Sequence, residues 1–317
     1  MTVSRRRFIA ITAGFALASG QASAAQATAD WQGVALGARV QLRLVGLDQG
    51  HAAHLIDITR NELLRLEKLF SLYQPGSALS QLNAEGRLQA PPPEMLELLA
   101  QVGAIHRATD GLFDPTIQPL WTAYANANGT PTPDRIAAAH AKIGWGKVRF
   151  GAGEISFDQE GMQLTLNGIA QGYITDRITA LLHSNGVTDA VVDMGEVSAM
   201  GQGPDQKPWR IGLAEKSDQP AAQSIRLSNK SVATSAPQGM TIAGQASHIL
   251  DPRTGNPAPQ YWSRVSVIHP SAAIADGLST AASLMQADQM RSCIKGFACV
   301  DIIAAGPEGR QLRLRVT

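Results

Sequence analysis

The chain has 317 residues, of which 44% are hydrophobic, 17% charged and 5% aromatic. That is enough apolar material for one large or two modest cores, and it excludes a disordered polyelectrolyte. With 27 basic against 26 acidic side chains the formal charge is +1, and there are two cysteines; neither a nucleic-acid partner nor a disulfide-stapled scaffold is expected.

Ser4-Arg5-Arg6-Arg7-Phe8 precedes an apolar run over residues 9–18 and then Ala22-Ser23-Ala24. A charged start, a short apolar stretch and an A-x-A site read as a secretory leader over residues 1–24. The paired arginines before Phe8 resemble the twin-arginine (Tat) signal, whose route exports folded proteins. The expected mature chain, residues 25–317, is periplasmic. No membrane insertion is expected after leader removal, because neither this run nor any later stretch reaches spanning length. Losing Arg5, Arg6 and Arg7 takes the formal charge from +1 to −2.

Residues 39–44 alternate, with Val40, Leu42 and Leu44 on one face, and predict a half-buried strand. Over residues 51–70 the apolar spacing becomes three or four, which predicts a helix with Leu63, Leu66 and Leu69 in its core-facing stripe. Pro75-Gly76 breaks it. Helices are predicted over 94–109 and 133–142, then a strand-like segment over 148–157. Leu164-Thr165-Leu166 reads as a strand running into Asn167-Gly168, followed by a helix over 169–185. Strands are predicted over 190–195, 209–214, 224–227, 232–235 and 265–268, a helix over 272–287, and closing strands over 300–304 and 312–316. Strands in succession with helices at irregular intervals give an α+β fold with mixed sheets and packed helices. No linker interrupts it, so a single compact domain is expected, with room for two lobes.

Four segments carry candidate chemistry. Asp276 and Thr280 stand four apart on one predicted helix, so both can reach one hard cation; a surface Asp near the helix dipole and a locally bonded Thr give the same pattern. Asn167-Gly168-Ile169-Ala170-Gln171-Gly172-Tyr173, at a strand-to-helix junction, suits either a phosphate at a helix N-terminus or close helix packing. His248, in Ser247-His248-Ile249-Leu250-Asp251-Pro252, is a general base or a structural histidine. Gly111-Leu112-Phe113-Asp114-Pro115-Thr116 is a flavour of tight turn with a ligand-contact alternative. A G-x-S-x-G elbow and a His-Glu-x-x-His motif are both absent from the sequence, so hydrolase and zinc-peptidase readings have no support. Cys293 and Cys299 could pair or remain two thiols, and carry no assigned function.

Taken in order, these segments say more. Phe70-Ser71-Leu72-Tyr73 and Ser77-Ala78-Leu79-Ser80-Gln81-Leu82-Asn83 come first, then the segment from Gly111 to Thr116 and that from Asn167 to Asp176. Asp193-Met194-Gly195, Val232-Ala233-Thr234-Ser235, His248 to Pro257 and Ala275 to Ala281 complete the series. The series resembles the ApbE family of FAD:protein FMN transferases over essentially the whole mature chain. The wording Leu164-Thr165-Leu166-Asn167-Gly168-Ile169-Ala170-Gln171-Gly172 is similar to the NosX branch, which serves nitrous oxide reductase systems.

The resemblance implies a magnesium-dependent transfer in which an acceptor threonine attacks FAD, FMN stays attached through a phosphoester and AMP leaves. It implies Asp276 and Thr280 as magnesium ligands with the carbonyls of Gly168 and Ala273. Tyr73, Leu112, Phe113, Asp114, Thr165 and Gln171 fall at flavin-contact positions, and His248 becomes a base or a phosphate-site residue. The implied partner is a flavin-acceptor protein, NosR-like, with threonine in an Asp-Gly-x-Thr-type motif. Three positions depart from the family pattern: Thr165 replaces an acid, Gln171 a lysine or glutamate, and Glu196 the second glycine of a Gly-Gly pair. FAD pyrophosphatase activity and a non-catalytic flavin-binding or assembly role are the alternatives.

Overall fold

The first unit of the described residues is an antiparallel hairpin, β1 (Thr28–Ala35) and β2 (Ala38–Val45), turned at Leu36-Gly37, where φ is +48° and +76°. The computed structural model describes residues 26–127, 130–214, 221, 223–242, 244 and 246–316; the expected leader lies outside the described residues. In α1 (Gln49–Phe70), Asp48 caps the start by accepting from the His51 N–H. Its buried face is Ala52, Leu55, Thr59, Leu63, Leu66 and Phe70, all three or four apart. α2 (Ala78–Glu85) is capped by Ser77 and ends at left-handed Gly86. β3 (Arg87–Gln89), α3 (Pro93–Ala108), α4 (Gln118–Ala125) and α5 (Pro133–His140) follow, then β4 (Val148–Phe150) and β5 (Glu154–Phe157).

The remainder builds the site. α6 (Ala170–Ser184) leads into the tight pair β6 (Ala190–Asp193) and β7 (Val197–Met200), and then into the hairpin β8 (Trp209–Leu213) and β9 (Gln223–Leu227). β10 (Lys230–Ser235), the short pair β11 (Thr241–Ile242) and β12 (Ala246–Ser247), and β13 (Arg264–His269) precede α7 (Ala272–Ala282) and α8 (Ala287–Cys293). β14 (Asp301–Ala305) and β15 (Gln311–Arg315) close the chain. Eight strands form one antiparallel sheet in the order β1-β2-β6-β7-β10-β13-β14-β15.

That sheet is covered on both faces, which is why its central strands are apolar without alternation. Val192, Ala233, Val267 and Ile302 point into the core shared with the helices. Their neighbours Val191, Val232, Ile268 and Ile303 join Trp209, Ile211 and Leu227 of the β8–β9 hairpin on the opposite face. On the helical side α6 packs on α7, and glycine allows it. A Cβ at Gly172 would stand 2.4 Å from the Ala272 carbonyl oxygen and 2.7 Å from the Ala273 Cα. Backbone cannot give way as a side chain can, so Gly172→Ala is expected to cost about 1–3 kcal/mol. Thermal or urea unfolding checks this, and a variant as stable as the parent would contradict the packing described.

The α+β expectation holds, and the differences have local causes. Residues 164–166 form no strand and join no sheet. The Leu164 N–H and carbonyl bond to the Asn83 side chain at 2.7 and 2.8 Å, and the Thr165 N–H bonds to the Pro115 carbonyl at 2.8 Å. The helix expected over 272–287 stops at Ala282. The Met285 carbonyl accepts from Trp262 Nε1 at 2.7 Å, and Gln286 and Gln289 form a capping box that starts α8. The segment 148–157 is two strands around a glycine-containing turn. Both cysteines are free thiols. Among the described residues no helix is long and apolar enough to cross a membrane.

Candidate functional site

Pinning of residues 164–166 fixes where the next three go. Asn167, Gly168 and Ile169 turn the chain into α6. On one side of this turn opens a cleft lined by Leu36, Phe70, Ser71, Leu72, Tyr73, Asn167, Ala170 and Gln171. It encloses about 450 Å³, a figure that includes the open solvent in its mouth. Ser71 shapes the near wall: its Oγ accepts from the N–H groups of Tyr73 and Gln74 at 3.2 Å. Tyr73 is 55% exposed at the lip and hydrogen-bonded to the Asn167 side chain, while partial burial pushes its phenol pKa up.

On the other side of the turn lies α7. A Cβ at Gly168 would meet Thr280 Oγ1 at 3.0 Å and Phe113 Cε2 at 3.3 Å, so Gly168, Thr280 and Phe113 converge. One helical turn before Thr280, buried Asp276 accepts through Oδ2 from the Gly172 N–H at 3.2 Å. Asp176 of α6 holds the start of α7. Its Oδ2 accepts from Ser271 Oγ at 2.6 Å and the Ala273 N–H at 3.0 Å, and its Oδ1 from the Ala272 N–H at 2.7 Å.

Burial pushes the Asp276 carboxyl up to about 7, opposed by the Gly172 N–H and reinforced by the charge of Asp176. Burial likewise raises Asp193 to about 7. It also holds Glu196 well above the usual carboxylate range, with the charges of Asp276 and Asp193 adding to the effect. No group of three His, Cys, Asp or Glu side chains is arranged for metal binding among the described residues. A cation here would therefore draw on the Asp276 carboxylate, the Thr280 hydroxyl and backbone carbonyls. That set of hard oxygen donors suits Mg2+ rather than zinc.

His248 follows β12 directly. A ring nitrogen, Nδ1, donates to the Met240 carbonyl at 3.1 Å, which leaves Nε2 as the unprotonated acceptor in the neutral ring. Burial holds its pKa below 6.5. The neighbouring Ser247 Oγ donates to the Pro237 carbonyl at 2.8 Å, two residues after Ser235, whose hydroxyl lies 2.7 Å from that of Ser279 on α7.

A family model described as the ApbE family matches residues 36–303. The chain belongs to the ApbE family. It is 28% identical over 295 residues to the FAD:protein FMN transferase of Salmonella typhimurium, covering 87% of this chain and 84% of that one. Among solved structures it is similar to the flavin transferase ApbE from Vibrio cholerae, with TM-score 0.81 at 22% identity over 92% of this chain and 98% of the other. The Pseudomonas stutzeri flavinyl transferase ApbE aligns with TM-score 0.77 at 26% identity, covering 92% and 96%.

In this ApbE chain the residues singled out in the sequence fall into three sets. Tyr73 and Gln171 line the cleft. Gly168, Thr280 and Phe113 meet at the turn, with Asp276 and Ala273 along the same helix. Leu112 and Asp114 stand behind them. Asp114 Oδ1 accepts from the Thr116 N–H at 2.8 Å and the Thr116 hydroxyl, and its Oδ2 from the Trp145 N–H at 3.1 Å. Its carboxylate is spent on the loop that carries Phe113. Thr165 accepts from the Asn167 N–H at 3.3 Å and so steadies the turn.

Reading the sequence missed Leu36 as a cleft residue, and Glu196 as a neighbour of both Asp276 and Asp193. The Leu36-Gly37 turn signal was available for the first. The carboxylates gave no signal, because nothing local tells that β6 and β7 pack on α6 beside α7.

Proposed function

We propose that this chain is a magnesium-dependent FAD:protein FMN transferase. It attaches FMN through a phosphoester bond to a threonine of a periplasm-facing flavoprotein, a NosR-like acceptor, and releases AMP. The observation that carries the reading is the double-sided turn. Asn167 lines the cleft with Tyr73 while the adjacent Gly168 packs on Thr280, so an aromatic-lipped cleft and a hard-oxygen site meet at two adjacent residues. FAD needs both, one for the ring and one for the pyrophosphate. The relatives named for this reaction support the same reading, and the arginine-paired leader supports periplasmic export by the Tat route.

The chemistry asked of the residues is limited. Mg2+ held by Asp276, Thr280 and the carbonyls of Gly168 and Ala273 would supply positive charge to the pyrophosphate oxygens. Asp176 fixes the first turn of α7 and with it Ala273. Tyr73 and Gln171 orient the flavin end. Nε2 of His248 takes the proton of the acceptor hydroxyl as the threonine oxygen bonds to the FMN phosphorus. The bond from that phosphorus to the bridging oxygen breaks, and AMP departs with that oxygen.

Chromatographic measurement of AMP from FAD and Mg2+, with and without a flavin-acceptor domain, tests the reading. AMP should form with the acceptor and fall to a trace without it. Equal AMP in both samples would mean water replaces threonine, as in an FAD pyrophosphatase. Intact, bound FAD in both would mean a flavin-binding or assembly protein, consistent with uncharged Thr165 and Gln171.

A further inference from the structure

Asp193, Glu196 and Asp276 come from the end of β6, the turn after it and α7, and they are only 1%, 5% and 4% exposed. Each accepts a backbone N–H: Asp193 Oδ1 from Gly195 at 3.1 Å, Glu196 Oε2 from Thr234 at 3.2 Å, and Asp276 Oδ2 from Gly172 at 3.2 Å. No ion pair among the described residues involves any of them. Asp193 Oδ2 is buried with no hydrogen-bond partner at all. Glu196 feels the charge of both other carboxylates. Its backbone is fixed as well: its carbonyl accepts from Thr175 Oγ1 at 3.0 Å, and it follows Gly195, whose φ of +106° and contact with Gln171 admit only glycine.

Buried carboxylates without a counter-charge are strongly unfavourable, and a divalent ion at Asp276 removes that cost for its neighbours too. We propose that Glu196 is an additional carboxylate of the cation site, set outside the Asp276–Thr280 ligand pair and tightening the ion's binding by its charge, with Asp193 behind it. This rests on the reading of Asp276 and Thr280 as cation ligands.

The test needs no flavin and no turnover. Mg2+ binding is measured by calorimetry, and Mn2+ binding by electron paramagnetic resonance, on purified FAD-free mature protein and on Glu196→Gln and Glu196→Asp. Glu196→Gln should weaken both ions by about tenfold or more, and Glu196→Asp, which keeps the charge, by less. In EDTA the Glu196→Gln protein should melt no lower than the parent, because the amide still accepts from Thr234 and one repulsive charge is gone. Ion binding by Glu196→Gln equal to or tighter than the parent's overturns the proposal while leaving the Asp276–Thr280 reading intact. A lower melting point in EDTA overturns it in favour of a purely structural Glu196. Failure of the parent to bind either ion overturns both.

Discussion

Asp276→Ala is expected to lower FMN transfer about a thousandfold or more, the kinetic equivalent of the several kcal/mol that a metal contributes to a charged phosphoryl transition state. FAD binding should weaken far less, because the cleft around Tyr73 and Gln171 is built by other residues. A loss of the whole fold can be distinguished by stability against pH in EDTA. Burial raises the folded pKa of Asp276 from 3.8 to about 7, so the folded state holds its proton where the unfolded state releases it. No penalty exists below pH ~4, and the ion-free parent loses stability as pH rises from there to about 7. Asp276→Ala should make that decline shallower, leaving the part that buried Asp193 and Glu196 contribute, and Mg2+ should restore the parent alone. Retained transfer in the variant, measured at saturating FAD, would remove Asp276 from the machinery.

Removing the imidazole of His248 is the second large effect. His248→Ala should lower kcat by about 10²–10⁴-fold, the usual range for a lost general base, with a small change in KM for FAD. The pH profile carries the more specific signature. Burial lowers the His248 pKa from 6.5, so the neutral ring persists below that value. Transfer by the parent should be constant near neutrality and fall along a single acid limb whose midpoint lies under 6.5. In the variant that limb should vanish. A variant that keeps the limb, or the rate, would assign the proton to another group.

Much of this arrangement is written locally. The apolar face of α1 and the helix from Ala170 follow from three- and four-residue spacing, and Asp276 and Thr280 share a face because they are four apart. What stayed hidden depends on distant partners. Leu164-Thr165-Leu166 has strand character, yet Asn83 and Pro115 take its backbone bonds. The Asp114–Thr116 turn is local, but nothing near Asp114 reveals that the Trp145 N–H takes its other carboxylate oxygen. Glu196 reads as a local departure from a glycine pair, and only the packing of β6 and β7 on α6, which itself packs on α7, turns it into a neighbour of Asp276.

One mixture decides whether these residues form a transferase: mature protein, FAD, Mg2+ and a NosR-like flavin domain, with the acceptor weighed by intact mass spectrometry. An acceptor heavier by one phosphoester-linked FMN, absent with EDTA and absent with Asp276→Ala, is the expected result. An acceptor of unchanged mass, under conditions where the Salmonella typhimurium relative labels the same domain, would contradict it.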